Sequence, residues 1–99
     1  MLTIEKKADA GALEIVLGGR LDTTTAPQLE EVVKNDLEGV SNLTFDFASL
    51  EYISSAGLRV LLAAQKIMNK QGDMVVKNVS EEVNEIFEVT GFSDILTIE

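Results

Sequence analysis

DFASLEYISSAGLRVLL, residues 46–62, is the stretch of sequence that decides the fold. It continues an alternating apolar strand into a short polar loop, which ends in Ser54-Ser55 and the small pair Ala56-Gly57. A helix is predicted to begin at once. Such a junction exposes a hydroxyl at a helix N-terminus, where free N–H groups and the helix dipole favour negative charge. The serine is therefore a helix cap, a nucleophile or a site for a phosphate, and that choice decides the function.

Strand and helix patterns alternate on both sides of this stretch. Val and Ile alternation predicts strands, and apolar residues at helical spacing predict amphipathic helices. Gly18-Gly19 is expected to end the second strand or to form a bulge. The predicted elements are strands 2–7 and 13–17 as a hairpin, a helix from Thr25 to Gly39, strand 43–47, helix 56–71, strand 74–79, a helix from Ser80 to Gly91, and strand 95–98.

This order predicts one α/β domain over residues 1–99. A hairpin followed by strands that alternate with helices implies a mixed, mainly parallel sheet, here of about five strands. Because each helix has a single apolar stripe, we expect the helices to pack largely on one face of the sheet. A chain of 99 residues is long enough for one core and too short for two.

Composition excludes several classes of function. The net charge of −9 argues against nucleic acid and against an anionic membrane surface. The chain has no His and no Cys, which excludes Ser-His-Asp triads, thiolate chemistry and the usual metal sites. No apolar run approaches the ~20 residues of a membrane helix, and the start lacks a signal-peptide pattern. We therefore expect a cytoplasmic protein without metal or cofactor.

The three roles of the serine differ in what they require. A nucleophile requires a base and a G-x-S-x-G elbow, both of which are missing, so we expect no enzymatic activity. A cap is a common role, worth about 1 kcal/mol, but it does not explain two serines and two small residues in succession. A phosphate would add about −1.5 to −2 charges. The helix N-terminus would tolerate this charge and a bound partner would not, so phosphorylation would act as a binary switch of partner binding.

The motifs of this chain resemble those of the STAS-domain family, and within it the stand-alone bacterial anti-sigma factor antagonists. The strongest resemblance is YISSAGLRVL at residues 52–61, with GRLD at residues 19–22 as a second signature. GDMVV at residues 72–76 and VTGF at residues 89–92 complete the pattern. Together these motifs extend the resemblance over essentially all of residues 2–99.

The resemblance implies a partner and a modification site. Such proteins, when unphosphorylated, bind an anti-sigma factor that is also a serine kinase, and so free the sigma factor for transcription. The kinase phosphorylates one serine, and a phosphoserine phosphatase reverses the reaction. The acceptor lies two residues before the helix glycine, which corresponds to Ser55. Many members have Asp where this chain has Ser54, which makes Ser54 the alternative acceptor. The loop Asp22, Thr23 and Thr24 corresponds to part of the partner surface.

The residues themselves favour the same surface. Asp22 and Ser55 both follow strands, and loops at strand C-terminal ends concentrate function in parallel sheets. Leu58 and Leu62 lie at the edge of the predicted core stripe, where partial exposure beside Arg59 would suit an interface and full burial would make them core. The predicted partner-binding residues are Asp22, Thr23, Thr24, Ser54, Ser55, Ala56, Gly57, Leu58, Arg59 and Leu62.

We therefore predict a non-enzymatic, phosphorylation-controlled switch that binds an anti-sigma factor kinase. Two other classes stay open. One is a constitutive STAS interaction subunit of a transporter or signalling assembly, in which Ser55 only caps the helix. The other is a nucleotide- or anion-binding regulatory domain that uses the same helix N-terminus, with Arg59 as its nearest basic residue.

Overall fold

A computed structural model describes residues 1–99, and its elements follow the predicted order up to the C-terminal segment. They are β1 (Leu2–Asp9), β2 (Ala12–Leu21), α1 (Ala26–Asp36), β3 (Asn42–Ile53), α2 (Ser55–Met68), β4 (Asp73–Lys77), α3 (Glu81–Thr90) and a short 3-10 helix (Phe92–Asp94). No helix combines the length and the apolar character that crossing a bilayer requires.

The four strands form one sheet in the order β1-β2-β3-β4. The β1–β2 pair is antiparallel, and the β2–β3 and β3–β4 pairs are parallel. Because both crossovers advance in the same direction and crossovers are right-handed, α1 and α2 lie on the same face. The α3 helix covers that face too, since the Phe87 ring lies 6.3 Å from the Phe47 ring of β3. The mixed sheet with helices on one face is confirmed, with four strands rather than five.

Buried and exposed side chains alternate along the strands, so the helices cover one face of the sheet and the other, open face meets solvent. Leu13, Ile15 and Leu17 of β2 are buried towards the helices, as are the apolar residues of β3 at alternate positions. The opposite face is partly solvent-exposed and polar, and there Lys77 Nζ lies 3.0 Å from Glu14 Oε2. One covered face and one solvated face give the regular alternation that made these strands recognisable.

β2 and β3 extend well beyond their predicted ends. We expected β2 to end at residue 17, but it continues through the glycine pair to Leu21, with irregular register around Gly18 and Gly19. Gly19 has φ +87°, and a Cβ there would lie 2.0 Å from the Met1 carbonyl oxygen. The glycine pair therefore lies inside β2 and does not end it. The extra residues of the two register shifts lie on β3, between Asp46 and Ser49 and between Leu50 and Tyr52. Likewise β3 continues past residue 47 to Ile53, so most of the predicted polar loop is strand.

The prediction of a last strand over residues 95–98 is wrong. The chain forms a 3-10 turn after Gly91 and then touches β4 at a single bridge between Val76 and Ile98. The Val76 N–H donates to the Thr97 carbonyl at 2.9 Å, and the Glu99 N–H donates to the Val76 carbonyl at 2.9 Å. No strand precedes this bridge, because Phe92–Asp94 form the 3-10 helix and Ile95 keeps helical backbone.

Candidate functional site

The C-terminal ends of β2 and β3 bring the two predicted loops together. Leu21 pairs with Ile53, and the Ser54 N–H donates to the Leu21 carbonyl at 2.9 Å. The Asp22 loop and the Ser54-Ser55 junction thus leave the sheet from neighbouring positions at one edge. The structure therefore places the loops of the predicted partner surface side by side.

Internal hydrogen bonds hold the Asp22 loop in one conformation. Asp22 Oδ1 accepts from the Thr24 hydroxyl at 2.8 Å and from the Thr24 N–H at 3.0 Å. These bonds, the Thr24 hydroxyl first, lower the pKa of the Asp22 carboxyl below its ordinary value. Thr25 Oγ1 accepts from the Asp22 N–H and donates to the Arg20 carbonyl, both at 2.8 Å. Thr25 therefore stabilises the loop and forms no side-chain cap of α1.

The two serines are in different environments. Ser54 is the N-cap residue of α2 and has extended backbone, but its side chain makes no capping hydrogen bond. Its Oγ is buried without a hydrogen-bond partner. Ser55 is the first helical residue and is exposed. Ser55 therefore presents an accessible hydroxyl beside an uncapped helix N-terminus, whereas the Ser54 hydroxyl is inaccessible.

Packing explains the small residues that follow the serines. A Cβ at Gly57 would lie 2.7 Å from Leu21 Cγ and 2.9 Å from Ile53 Cγ1. Only glycine therefore lets the first turn of α2 lie directly against the ends of β2 and β3. Ala56 is half-buried beside it. The close approach of helix and sheet holds Ser55 at a fixed position.

Two residues of the predicted partner surface are not available on it. Leu58 is only 5% exposed and belongs to the hydrophobic core, and Gly57 is buried against the sheet. Of the two alternatives that the sequence left open for Leu58, the structure shows burial, because its side chain turns into the core. Leu62 is half-buried, and Arg59, which lies between Leu58 and Leu62 in the sequence, is exposed. The accessible part of the predicted surface on α2 is therefore Ser55, Ala56, Arg59 and the edge of Leu62.

A groove of about 200 Å³ lies between the first turns of α1 and α2. Its α1 side carries Glu30 and its α2 side carries Arg59, with Thr23 and Ala56 closer to the loops. Pockets for small ligands commonly measure about 300–1,000 Å³. The groove therefore fits a side chain of a protein better than a nucleotide. No group of three or more His, Cys, Asp or Glu side chains is placed to hold a metal ion.

The sequence analysis missed an exposed pair on the open face of the sheet. The Arg20 guanidinium lies 4.5 Å from the centre of the Tyr52 ring, and Arg20 Nε lies 3.8 Å from Asp22 Oδ2. The pair was missed because β3 was expected to end before Tyr52. Only the continued register, in which Arg20 opposes Tyr52, brings the two side chains together.

Comparison with known proteins gives a consistent result. The STAS domain family model matches residues 3–99. The anti-sigma-B factor antagonist of Staphylococcus epidermidis is 31% identical over 99 residues, a match that covers 98% of this chain and 92% of that protein. The chain thus shares nearly its whole length with a protein of that name.

Solved structures show the same fold. An anti-sigma factor antagonist from Mycobacterium paratuberculosis superposes with a TM-score of 0.89 at 21% identity, covering 99% of this chain and 85% of that one. The anti-sigma factor antagonist SpoIIAA in its unphosphorylated form gives a TM-score of 0.77 at 17% identity, covering 98% and 87%. Its phosphorylated form gives 0.76 at 17% identity, covering 98% and 91%. At these identities the likeness establishes the fold.

Proposed function

This chain belongs to the STAS domain family, and we propose that it is an anti-sigma factor antagonist whose binding is switched off by phosphorylation of Ser55. In the unphosphorylated state it binds an anti-sigma factor that is also a serine kinase, in the bacterial cytoplasm, and so frees a sigma factor. A phosphoserine phosphatase restores the binding state. The names of its relatives, one of which is 31% identical, support this assignment.

The contrast between the two serine hydroxyls carries the choice of acceptor. A kinase must reach the oxygen that it phosphorylates, and Ser55 is exposed whereas Ser54 Oγ is buried. The first N–H groups of α2 are left without a side-chain cap, so a phosphate on Ser55 would meet free donors and the positive end of the helix dipole. The fold would keep its structure after modification.

The same phosphate would disturb a complex. It would add about −1.5 to −2 charges to a surface that includes the Ala56 and Arg59 side of the groove. A partner that packs closely over an uncharged hydroxyl would have to desolvate this charge or move away. Modification therefore acts by releasing the partner, and the domain needs no catalytic group of its own.

The groove geometry argues against the nucleotide-binding alternative. Its volume of about 200 Å³ is small, and its only basic lining residue, Arg59, faces Glu30 across it. The alternative of a constitutive interaction subunit differs from the switch in one respect that can be measured. In a constitutive subunit, a charge at Ser55 would leave partner binding unchanged.

Binding to the anti-sigma factor kinase encoded nearest to this protein tests the proposal. Isothermal titration should show that Ser55→Ala binds like the unmodified protein, and that Ser55→Asp binds at least about tenfold more weakly, a change of about 1.4 kcal/mol. Ser93→Asp is the matched control, because it adds the same charge at an exposed serine of the 3-10 helix. Equal affinity of Ser55→Asp and Ser93→Asp would overturn the switch.

A further inference from the structure

We propose that two copies of this chain pair through the free edge of β1, in an antiparallel register centred on Lys6, and so join their sheets. This inference concerns a different part of the molecule from the proposed switch and does not rest on it. It follows from three observations: the hydrogen-bonding parity of β1, the order of its charges, and the neutralisation of Lys6 within its own chain.

The outer edge of β1 carries a row of unpaired backbone groups. The Arg20 N–H donates to the Met1 carbonyl at 3.1 Å, and these residues stand opposite each other in the register that pairs Leu2 with Gly19. Bonded and non-bonded pairs alternate in an antiparallel ladder, so the odd-numbered residues of β1 bond to β2. The backbone N–H and C=O groups that point away from the sheet belong to Leu2, Ile4, Lys6 and Ala8.

The hairpin turn agrees with this parity. Ala10 and Gly11 have φ of +46° and +89°, which is the geometry of a two-residue type I′ turn. Such a turn is closed by a bonded pair, here Asp9 and Ala12. Nothing else in the structure pairs with β1 on its outer side, because β1 is the first strand of the sheet. The strand contains no proline or bulge, so its charged side chains, Lys6 and Lys7 among them, are the feature of this edge that a second copy must accommodate.

Charge order and ladder length together select one register for a second copy. Residues whose backbone groups point away from β2 must pair with residues of the same kind in the second copy. Even-numbered residues therefore stand opposite even-numbered residues. With Lys6 at the centre, Glu5 opposes Lys7 of the second copy, and symmetry repeats this pair. Centring on Glu5 would oppose two Glu5 side chains, and centring on Lys7 would oppose two Lys7 side chains. Centring on Ala8 would oppose Lys7 to Asp9, but the ladder would then contain only residues 7–9, because β1 ends at Asp9. Centring on Ile4 would bring no opposite charges together, since Thr3 would oppose Glu5. Opposite charges directly across an antiparallel ladder stabilise pairing, and like charges oppose it.

Local charges make the central position tolerable. Lys6 would oppose its own symmetry mate, but Lys6 Nζ already lies 2.6 Å from Asp36 Oδ2 of its own chain. Lys7 stands opposite Glu14 on β2, so pairing would place it between two carboxylates. The strand carries as many positive as negative side chains, although the whole chain has a net charge of −9. The β1 edge thus carries no net charge, although the molecule as a whole is acidic. A second copy presents the same neutral edge and therefore fits better than a strongly charged partner.

Sedimentation of the full chain over about 1 μM to 1 mM tests this pairing. We expect a monomer–dimer equilibrium that Glu5→Lys and Lys7→Glu each weaken by about tenfold or more, since symmetry makes each change act twice. The double exchange Glu5→Lys with Lys7→Glu should restore the dimer, because it recreates the opposite charges. Lys66→Glu is the charge-matched control, since it lies exposed on α2 away from this edge.

A second variant keeps the test independent of those side chains. Ala8→Pro removes an outward N–H without removing a bond to β2, and it should abolish the dimer while circular dichroism shows a folded chain. A chain that stays monomeric over the whole range would overturn the proposal. A dimer that is insensitive to Glu5→Lys and to Ala8→Pro would overturn it too, because association would then use another surface.

Discussion

The chain begins two helices at the same edge of its sheet, and it treats the polar groups at the two junctions differently. At the start of α1, the Thr25 hydroxyl accepts from the Asp22 N–H and donates to the Arg20 carbonyl. At the start of α2, Ser54 Oγ is buried without a partner, and Ser55 is exposed without a capping bond. Similar residue types therefore serve as a brace in one place and as an open site in the other.

The contrast assigns different roles to the two junctions: the first is a fixed scaffold, and the second is the proposed switch. A loop whose main polar groups bond to one another, as those of Asp22, Thr24 and Thr25 do, is held in one conformation and presents a constant surface. A helix N-terminus with unused donors can accept a new anion without rearrangement. The α1 junction thus defines the shape of the surface, and the α2 junction supplies the position at which its charge can change.

The largest effect is expected where α2 touches the sheet. Gly57→Val would force side-chain carbons into Leu21 and Ile53, because even a Cβ at this position would lie within 3 Å of both side chains. The substitution should destabilise the chain by about 3 kcal/mol. Ala63→Val, on the exposed side of the same helix, should cost only about 0.5 kcal/mol. Urea unfolding of both variants provides the measurement, and similar losses would show that the close contact at Gly57 is unimportant.

The brace at α1 should be the next most sensitive point. Thr25→Val keeps the side-chain shape but leaves the Asp22 N–H and the Arg20 carbonyl without their partner in a region where Thr25 is only 6% exposed. The expected loss is about 1–3 kcal/mol in the free energy of unfolding. Thr23→Val is the isosteric control in the same loop, because Thr23 is exposed, and should change stability by less than about 0.5 kcal/mol.

Acid should weaken the hydrogen bonds of the α1 junction, because they depend on the ionised Asp22 carboxylate. The lowered pKa of the Asp22 carboxyl means that its ionised form stabilises the folded state at neutral pH. That contribution is complete above the unfolded value of 3.8 and is lost as pH falls through the lower folded value. The stability difference between the unmodified protein and Asp22→Asn should therefore shrink between about pH 5 and pH 2. A difference that stays constant in thermal unfolding over this range would contradict the role of the carboxylate.

The smallest effect is expected at the open junction. A serine N-cap replaced by alanine usually costs about 1 kcal/mol, because a capping bond is lost. Ser54 makes no such bond, so Ser54→Ala should change stability by less than about 0.5 kcal/mol. Thr25→Val provides the direct comparison in the same unfolding experiment. A loss at Ser54 as large as at Thr25 would remove the distinction between the two junctions.

Local sequence signals predicted most of the fold. Ser80 caps α3 through a bond from the Val83 N–H at 3.2 Å, and Gly91 ends that helix with φ +82°, as their positions indicated. The strand ends were predicted less well, because pairing with a neighbour carries β2 through Gly18 and Gly19 and carries β3 through a polar stretch. Partners distant in the sequence decide such extensions.

The site was predicted in location but not in its details. The sequence placed Asp22 and Ser55 at the C-terminal ends of parallel strands, but only the structure shows that these two strands are neighbours. It could not show that Leu58 turns into the core, since one helical position separates an edge residue from a buried one. Nor could it distinguish the hydroxyls of Ser54 and Ser55, whose accessibility depends on how the first turn of α2 lies against β2 and β3.

Phosphosite mapping tests the central claim most directly. The unmodified protein, Ser54→Ala and Ser55→Ala would be incubated with ATP and the anti-sigma factor kinase, and the modified residue would be located by mass spectrometry of peptides. Phosphate on Ser55 in the first two proteins and none in Ser55→Ala is the predicted result. Full phosphorylation of Ser55→Ala, with the phosphate on Ser54, would contradict the account of one exposed and one buried hydroxyl.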